Sequence, residues 1–224
     1  KGVLRDIHKI CIVVIEIANK KMNSSNPDET TQFLNEVETA QKYIDELVSK
    51  DVSKIVLLTH YQYSNDLQLA EALTDVDVII GGDSHTLLGD FDKVGLKSDG
   101  PYPTLRTNKD GDQVCVAQAW QYSQILGELS VSFDGKGKVA ACNGTPHLLI
   151  GSEFKRKDEN GKKQTLKGAE LAAVLADVEA QPNLIQVKPD AATQQTLSAF
   201  TQKLDVMKDQ EIAQSSELLC YERV

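Results

Sequence analysis

Two short, mainly apolar runs, Ile55–Leu58 and Val76–Ile80, stand out in the pattern of polar and apolar residues along the chain. Runs of four or five apolar residues without alternation are typical of strands that are buried on both faces of a sheet. The segment between them has helical spacing, with Asn65 or Asp66 as its N-cap. The predicted helical face comprises Asn65, Leu67, Ala70, Leu73 and Val76. The pattern therefore predicts a strand–helix–strand unit with two parallel strands.

Residues with metal-binding side chains follow both predicted strands. His60 comes after the first strand, and the segment Gly81–Thr86 after the second contains Asp83 and His85. Parallel strands end at the same edge of an open α/β sheet, and this C-terminal edge is where such sheets bind ligands. His60, Asp83 and His85 are therefore a candidate metal site. Mixed imidazole and carboxylate donors suit zinc, manganese or iron.

The segment Gly81–Thr86 has further features that favour a metal or a phosphate. Gly81 and Gly82 have no side chains to crowd a ligand, and glycine adopts positive φ without strain. The spacing of Asp83 and His85 predicts that both side chains lie on one side of an extended segment. For a single histidine such as His60, an ordinary loop residue is the competing interpretation.

The flanking segments predict elements that complete one domain. Ile10–Ile17 is predicted to be a buried strand, and residues 32–50 a helix whose apolar stripe covers the sheet. Residues 87–112 are predicted to be a long loop over a site. A β-meander follows, in which Trp120 and Tyr122 belong to the core. Its strands are predicted at Gln113–Ala119, Ile125–Phe133 and Lys138–Asn143, with a turn at Asp134–Gly137.

Beyond the meander, the pattern predicts a hairpin and two helices. Residues 152–167 form the hairpin, with Asn160 and Gly161 in its turn. The first helix covers Ala169–Ala180 and ends before Pro182. The second begins near Pro189, and its apolar residues repeat at helical spacing.

Four cysteines leave alternatives open. Cys115 and Cys142 lie on predicted strands that could be neighbours. In a periplasmic or secreted protein they would form a disulfide, whereas in an intracellular protein they would be small buried apolar residues. The sequence does not decide whether Cys11 and Cys220 are paired.

Composition and charge narrow the classes of function. Of the 224 residues, 41% are hydrophobic and 25% are charged, as in ordinary folded domains. The formal net charge is -9 without a basic stripe, which argues against a nucleic-acid partner. No apolar run reaches the length of a transmembrane helix.

Several motifs, in order, resemble one known family. They are IVLLTH, VDVIIGGDSHTLLGDF, and the segments Tyr102–Thr104, Gln118–Tyr122 and Leu126–Leu129. The chain resembles the 5'-nucleotidase family of calcineurin-like metallophosphoesterases, including bacterial periplasmic and surface NAD nucleotidases and UDP-sugar hydrolases. The resemblance implies an α/β fold with α+β character. It further implies part of a four-layer αββα sandwich with a C-terminal connecting helix.

The resemblance also implies an activity and a site. Enzymes of this family hydrolyse phosphoesters of nucleotides with two divalent metal ions, such as zinc or manganese, and a metal-bound hydroxide. His60, Asp83 and His85 match metal-ligand positions, and Asp83 stands where histidine is usual. The family further implies a periplasmic or extracellular location.

The family's earlier motifs, an Asp-x-His, a metal-bridging Asp and a Gly-Asn-His loop, are not found in the chain. We therefore expect residues 1–185 to be the C-terminal half of a catalytic domain. Residues 186–224 are expected to be a linker helix that leads toward an absent substrate-binding domain. The missing N-terminal half, or a second chain, would cover the open sheet edge. The alternative is a truncated or diverged non-catalytic relative that acts as a structural or binding protein, so enzymatic activity of this chain stays open.

Overall fold

The computed structural model describes residues 10–15, 28–208 and 210 of the chain. The chain divides into two units. The first runs to Leu149 and includes Ala173–Ile185, and the second contains Ile150–Ala172 and the residues from Gln186 onward. Cys220 lies outside the described residues, and only the backbone of Cys11 is described.

A five-stranded sheet forms the centre of the first unit. Four of its strands are parallel, and the outer strand β4 is antiparallel to its neighbour. The strands, in spatial order, are β1 (Ile10–Ile15), β2 (Lys54–Thr59), β3 (Val78–Ile80), β5 (Gln113–Ala117) and β4 (Thr104–Thr107). Within the described residues β1 is the other outer strand. The expectation that a further segment or a second chain covers this edge stays a prediction.

Two helices cover one face of this sheet. Helix α1 (Glu36–Val48) begins at the N-cap Asn35, whose side chain accepts a hydrogen bond from the Glu38 N–H at 3.0 Å. Helix α2 (Tyr63–Ala72) connects β2 to β3. Both helices contribute to a fully buried cluster whose members are Ala40, Ile44, Ile55, Leu57, Leu69, Ala70, Leu73, Val76, Ile79, Val114 and Val116. The strand–helix–strand prediction is confirmed.

A second sheet packs on the other face. It consists of β6 (Ile125–Phe133), β7 (Val139–Ile150) and β10 (Leu184–Gln186), in the order β10-β7-β6. Residues of both sheets meet in a second buried cluster around Val78, Cys115 and Cys142. The two cysteines form a disulfide with 6.3 Å between their Cα atoms. The first unit is therefore layered as helices, sheet and sheet, and the α/β class is confirmed.

The predicted meander is wrong in one strand. Gln113–Ala119 is mostly β-strand, but β5 pairs with β3 and β4 in the first sheet and not with β6. The predicted loop over residues 87–112 contains β4 and a 3-10 helix at Asp92–Val94. Strand pairing depends on distant residues, whereas hydrophobic pattern reports only on local conformation.

The second unit contains the predicted hairpin. Strands β8 (Lys155–Lys157) and β9 (Lys163–Thr165) pair antiparallel around a turn that includes Asn160 and Gly161. Helix α3 (Gly168–Glu179) follows the hairpin, and its residues from Ala173 onward belong to the first unit. Helix α4 (Ala191–Lys208) is the last described helix. The predicted apolar residues of α4 are exposed; they include Leu197, Phe200, Leu204 and Met207. Among the described helices, none has both the length and the apolar character to cross a membrane.

Asp77 connects the beginnings of β2 and β3 at the N-terminal edge of the first sheet. Its carboxylate accepts a hydrogen bond from the Ile55 N–H at 2.8 Å, and its own N–H donates to the Ile55 carbonyl at 3.1 Å. The side chain is buried, and this burial raises the pKa of Asp77 from 3.8 to about 6. The hydrogen bond from Ile55 and the nearby Lys138 ammonium oppose the shift.

We predict that Asp77→Asn flattens the pH dependence of stability. The folded protein keeps the Asp77 proton to a higher pH than the unfolded chain, so the free energy of unfolding falls as the pH rises from about 4 to about 6. Asparagine has no proton to lose, and the fall should shrink by up to ~3 kcal/mol. Urea denaturation at a series of pH values measures this. Asp51→Asn, at an exposed aspartate nearby, should leave the slope unchanged, and an equal slope for Asp77→Asn would contradict the assignment.

We predict that removing the disulfide destabilises the first unit. The bridge joins residues separated by 27 positions and connects β5 to β7 across the two sheets. A loop of this length is worth about 3–4 kcal/mol of unfolding free energy. Denaturation of the protein with and without a reducing agent should show a loss of this size. A Cys115→Ala and Cys142→Ala double variant should show the loss in both conditions, and an unchanged midpoint on reduction of the parent protein would refute the prediction.

Candidate functional site

Three neighbouring strands of the first sheet end at the same edge. The register pairs Leu58 with Ile80, and Ile80 with Ala117, so β2, β3 and β5 finish at one level. The residues that follow these strands are His60, the segment Gly81–Thr86 and the segment Gln118–Ser123. The sheet therefore places all three predicted site residues at its C-terminal edge.

Two of the predicted site residues are in contact. His60 Nε2 lies 3.5 Å from Asp83 Oδ1, and the two side chains are 58% and 29% exposed, so solvent reaches both. His85 instead packs edge-on against the ring of Tyr122, with 5.0 Å between the ring centroids. Within the described part of the chain, no group of three or more His, Cys, Asp or Glu side chains lies close enough to hold a metal ion. The role of His60, Asp83 and His85 as metal ligands stays a prediction.

This edge concentrates unusual backbone conformations. Eight described non-glycine residues have positive φ, and six of them lie here: Gln62, Asp83, His85, Trp120, Tyr122 and Ser123. Such conformations cost about 1–3 kcal/mol each and cluster at functional sites. Gly81 and Gly82 do not use the positive φ that glycine permits. The expectation of an extended segment through Asp83 and His85 was also wrong, because both have left-handed φ.

The side chain of Gln118 holds the segment Gly81–Thr86 in place. Its Nε2 donates to the Gly82 carbonyl at 2.8 Å, and its Oε1 accepts from the Thr86 N–H and, at 3.1 Å, from the Ser84 hydroxyl. The side chain is buried. One amide therefore fixes both ends of the loop that presents Asp83 and His85. Sequence reasoning missed this role because Gln118 lies inside the predicted strand Gln113–Ala119, whereas the observed strand β5 ends at Ala117.

Asp66 is a second residue whose role was missed. It lies inside α2, whose N-cap is Gln62, so the prediction of Asn65 or Asp66 as the cap was wrong. Its Oδ1 accepts a hydrogen bond from the Thr59 hydroxyl at 2.7 Å, and its side chain is fully buried. Burial raises the pKa of Asp66 to about 6, against the effect of the Thr59 hydrogen bond. A buried carboxylate beneath the site marks a residue with a specific task.

Tyr122 is exposed, in contrast to its predicted place in the core. Its side chain is 74% exposed, and Trp120 is half-buried. The positive φ at Trp120, Tyr122 and Ser123 holds this aromatic ring out beside His85. The site therefore has an accessible aromatic surface next to one of its histidines.

No protein-family model matches the chain. Among curated proteins, the chain is 32% identical over 203 residues to the NAD 5'-nucleotidase of Haemophilus influenzae, which covers 89% of the chain and 34% of that protein. It is 30% identical over 207 residues to a probable 5'-nucleotidase of Treponema pallidum, covering 91% of the chain and 35% of that protein. The chain therefore spans about a third of the length of these relatives.

The similarity extends to structure. The solved structure of NAD nucleotidase from Haemophilus influenzae matches the chain with a TM-score of 0.82 and 30% sequence identity. The match covers 88% of this chain and 40% of that one. Sequence and structure thus relate most of the chain to one part of 5'-nucleotidases and NAD nucleotidases, and the resemblance that the motifs indicated is confirmed.

We predict that Gln118→Leu loosens the segment Gly81–Thr86 without unfolding the sheet. The change leaves the Thr86 N–H and the Gly82 carbonyl without their partner, which costs about 1–3 kcal/mol. Amide hydrogen exchange measured by NMR should accelerate at Thr86 and stay slow in β3. Gln124→Leu, at an exposed glutamine of the same connection, should change neither. Unaltered exchange at Thr86 in Gln118→Leu would show that the amide does not hold the loop.

Proposed function

We propose that this chain, a homologue of 5'-nucleotidases and NAD nucleotidases over most of its length, forms part of a metal-dependent site that hydrolyses phosphoesters of nucleotides. The contact between His60 and Asp83 is the observation that carries the proposal. Two donor side chains from different strand ends meet at the edge where open α/β sheets bind ligands. They are also residues that the family resemblance assigns to the metal.

The donors fit a divalent metal ion. A neutral imidazole and a carboxylate are ligands that zinc and manganese accept, and their exposure lets an ion reach them. His85 is the third candidate, and the resemblance implies two ions in the complete site. A bound metal of this kind would stabilise charge on phosphoryl oxygens and activate a water molecule for in-line attack.

The residues of this chain have separate tasks in that proposal. His60 and Asp83 hold the ion, and Gln118 keeps the Asp83 segment in place. Tyr122 offers an exposed ring beside His85, where an aromatic part of a nucleotide could stack. The names of the relatives, NAD 5'-nucleotidase and 5'-nucleotidase, suggest nucleotides as the substrate class. Because the chain spans about a third of those proteins, the remaining groups would come from another part of the protein or a second chain.

The location and the domain plan are part of the same proposal. The disulfide between Cys115 and Cys142 favours an oxidising compartment, such as the periplasm or the extracellular space. Residues up to 185 would belong to a catalytic domain, and α4 would be a connecting helix. The exposed apolar residues of α4 agree with a helix that has a further contact to make.

A second candidate function is that of a non-catalytic structural or binding protein. The observation that favours it is that the described residues bring together two donor side chains and not a group of three. A protein with this site alone would bind a metal or a nucleotide without hydrolysing it. The two candidates differ in turnover and agree in binding.

We predict that the chain binds Mn²⁺ or Zn²⁺ through His60 and Asp83. His60→Asn should weaken binding by more than ~10-fold, since even an outer partner of a metal ligand contributes this much. Isothermal titration calorimetry measures the affinity, and release of phosphate from AMP or NAD measures turnover. His147→Asn is the matched control, because His147 bonds to Glu128 on the second sheet at 3.1 Å and lies outside the site.

The outcomes separate the two candidates. Binding and turnover that both depend on His60 support the hydrolase. Binding without turnover, even when the rest of the protein is present, supports the second candidate. Equal affinities for the His60→Asn and His147→Asn variants would overturn the assignment of the metal site.

A further inference from the structure

The Asp66 side chain lies where three elements of the site meet. It projects from α2, and its Oδ1 accepts the hydrogen bond from the Thr59 hydroxyl. Thr59 is the last residue of β2 and directly precedes His60. The carboxylate therefore holds the strand end that carries the first site residue.

The other carboxylate oxygen faces the end of the neighbouring strand. Asp66 Oδ2 is buried and has no hydrogen-bond partner among the described residues. A Cβ atom built on Gly81 would overlap with this oxygen, so a side chain at position 81 would require the Asp66 carboxylate to move. Gly81 follows β3 and stands two residues before Asp83. The carboxylate thus fills the space that a side chain at position 81 would need.

The closeness of the Asp66 carboxylate, and not the backbone conformation, disfavours a side chain at position 81. Its φ is outside the left-handed region, so alanine could adopt the same backbone. The Gly81 N–H donates to the Ala117 carbonyl at 2.8 Å, which fixes this backbone against β5. Gly82 has a related constraint, because a Cβ there would lie 3.3 Å from His60 Nδ1.

We propose that Asp66 is a positioning residue whose buried carboxylate sets the spacing between His60 and Asp83. The carboxylate bonds to Thr59 at the end of β2, and it lies against Gly81, which directly follows β3. The spacing is a property of the protein alone, and only its consequence for metal binding rests on the proposed function. Asp66 itself lies beneath the site and is not a ligand in this proposal.

Asp77 provides a matched comparison within the same sheet. It is also a buried aspartate, and it bonds to β2 through the Ile55 N–H at the opposite edge. Substitution of either residue removes a buried carboxylate and a hydrogen bond to β2. A merely structural role would give the two variants the same consequences. A positioning role would affect the histidines of the site in one variant alone.

The first experiment follows the imidazole signals of His60, His85 and His147 by NMR without metal. Asp66→Ala should shift the signals of His60 and His85 and leave His147 unchanged, whereas Asp77→Ala should shift none of them. Mn²⁺ affinity should fall by ~10-fold in Asp66→Ala alone. Unchanged His60 signals in Asp66→Ala, or equal shifts in Asp77→Ala, would overturn the proposal. Because the signals are read without metal, failure of the metal site itself is seen separately.

A second experiment stays informative if Asp66→Ala folds poorly. Gly81→Ala places a methyl group against Asp66 Oδ2, so it should lower the melting temperature and shift the His60 signal. In the Asp66→Ala background the methyl group occupies vacated space, and the same change should cost less than about half as much, as expected of residues in direct contact. Equal losses of melting temperature in both backgrounds would show that the carboxylate does not seat the end of β3.

Discussion

The parallel register of β2, β3 and β5 is the constraint on which the site depends. It aligns Leu58, Ile80 and Ala117 at one level, so the residues that follow them share an edge. The register is itself held by burial on both faces, with one cluster under the helices and another around Cys115 and Cys142. A slip by one residue would turn Leu57 and Ile79 away from the helices, which makes the alternative register costly. Packing of the core therefore determines the level at which the strands end, and with it the positions of the site residues.

Buried polar groups then convert this coarse alignment into a defined arrangement. Hydrophobic packing is non-directional, and it does not specify how a loop leaves a strand. Gln118 does so for the segment Gly81–Thr86, because its amide has one donor and one acceptor in use on that loop. A buried amide or carboxylate that loses its partner is costly, so these contacts persist or the local structure changes. The left-handed residues Asp83 and His85 lie between the two ends that Gln118 holds.

The pattern of the sequence predicted the strands and the edge of the sheet where the candidate site lies. It did not predict the buried residues that hold the site in place. The run Ile55–Leu58 lies in β2, and the last three residues of the run Val76–Ile80 form β3; the residues after both strands lie at one edge. The sequence did not show that β5 joins the same sheet, because local pattern carries no information on pairing partners. For the same reason it missed Gln118 and Asp66, whose roles depend on contacts across 36 and 7 positions of the chain. The predicted buried face of α2 also differs from the observed one, because Asp66 and Leu69 are buried in place of Asn65 and Leu67. An aspartate is not expected to face a core, and the prediction therefore excluded it.

The remaining step is how two donors become a complete metal site. Structural zinc sites use four protein ligands, and catalytic sites use three with one open position, so His60 and Asp83 supply about half of a set. His85 packs against Tyr122 and does not complete a group of three donors within the described residues. The backbone of its loop is held at Gly82 and Thr86, so recruitment of His85 would proceed by side-chain rotation away from Tyr122 and not by refolding of the loop. Such a rotation would also end the contact between the rings of His85 and Tyr122.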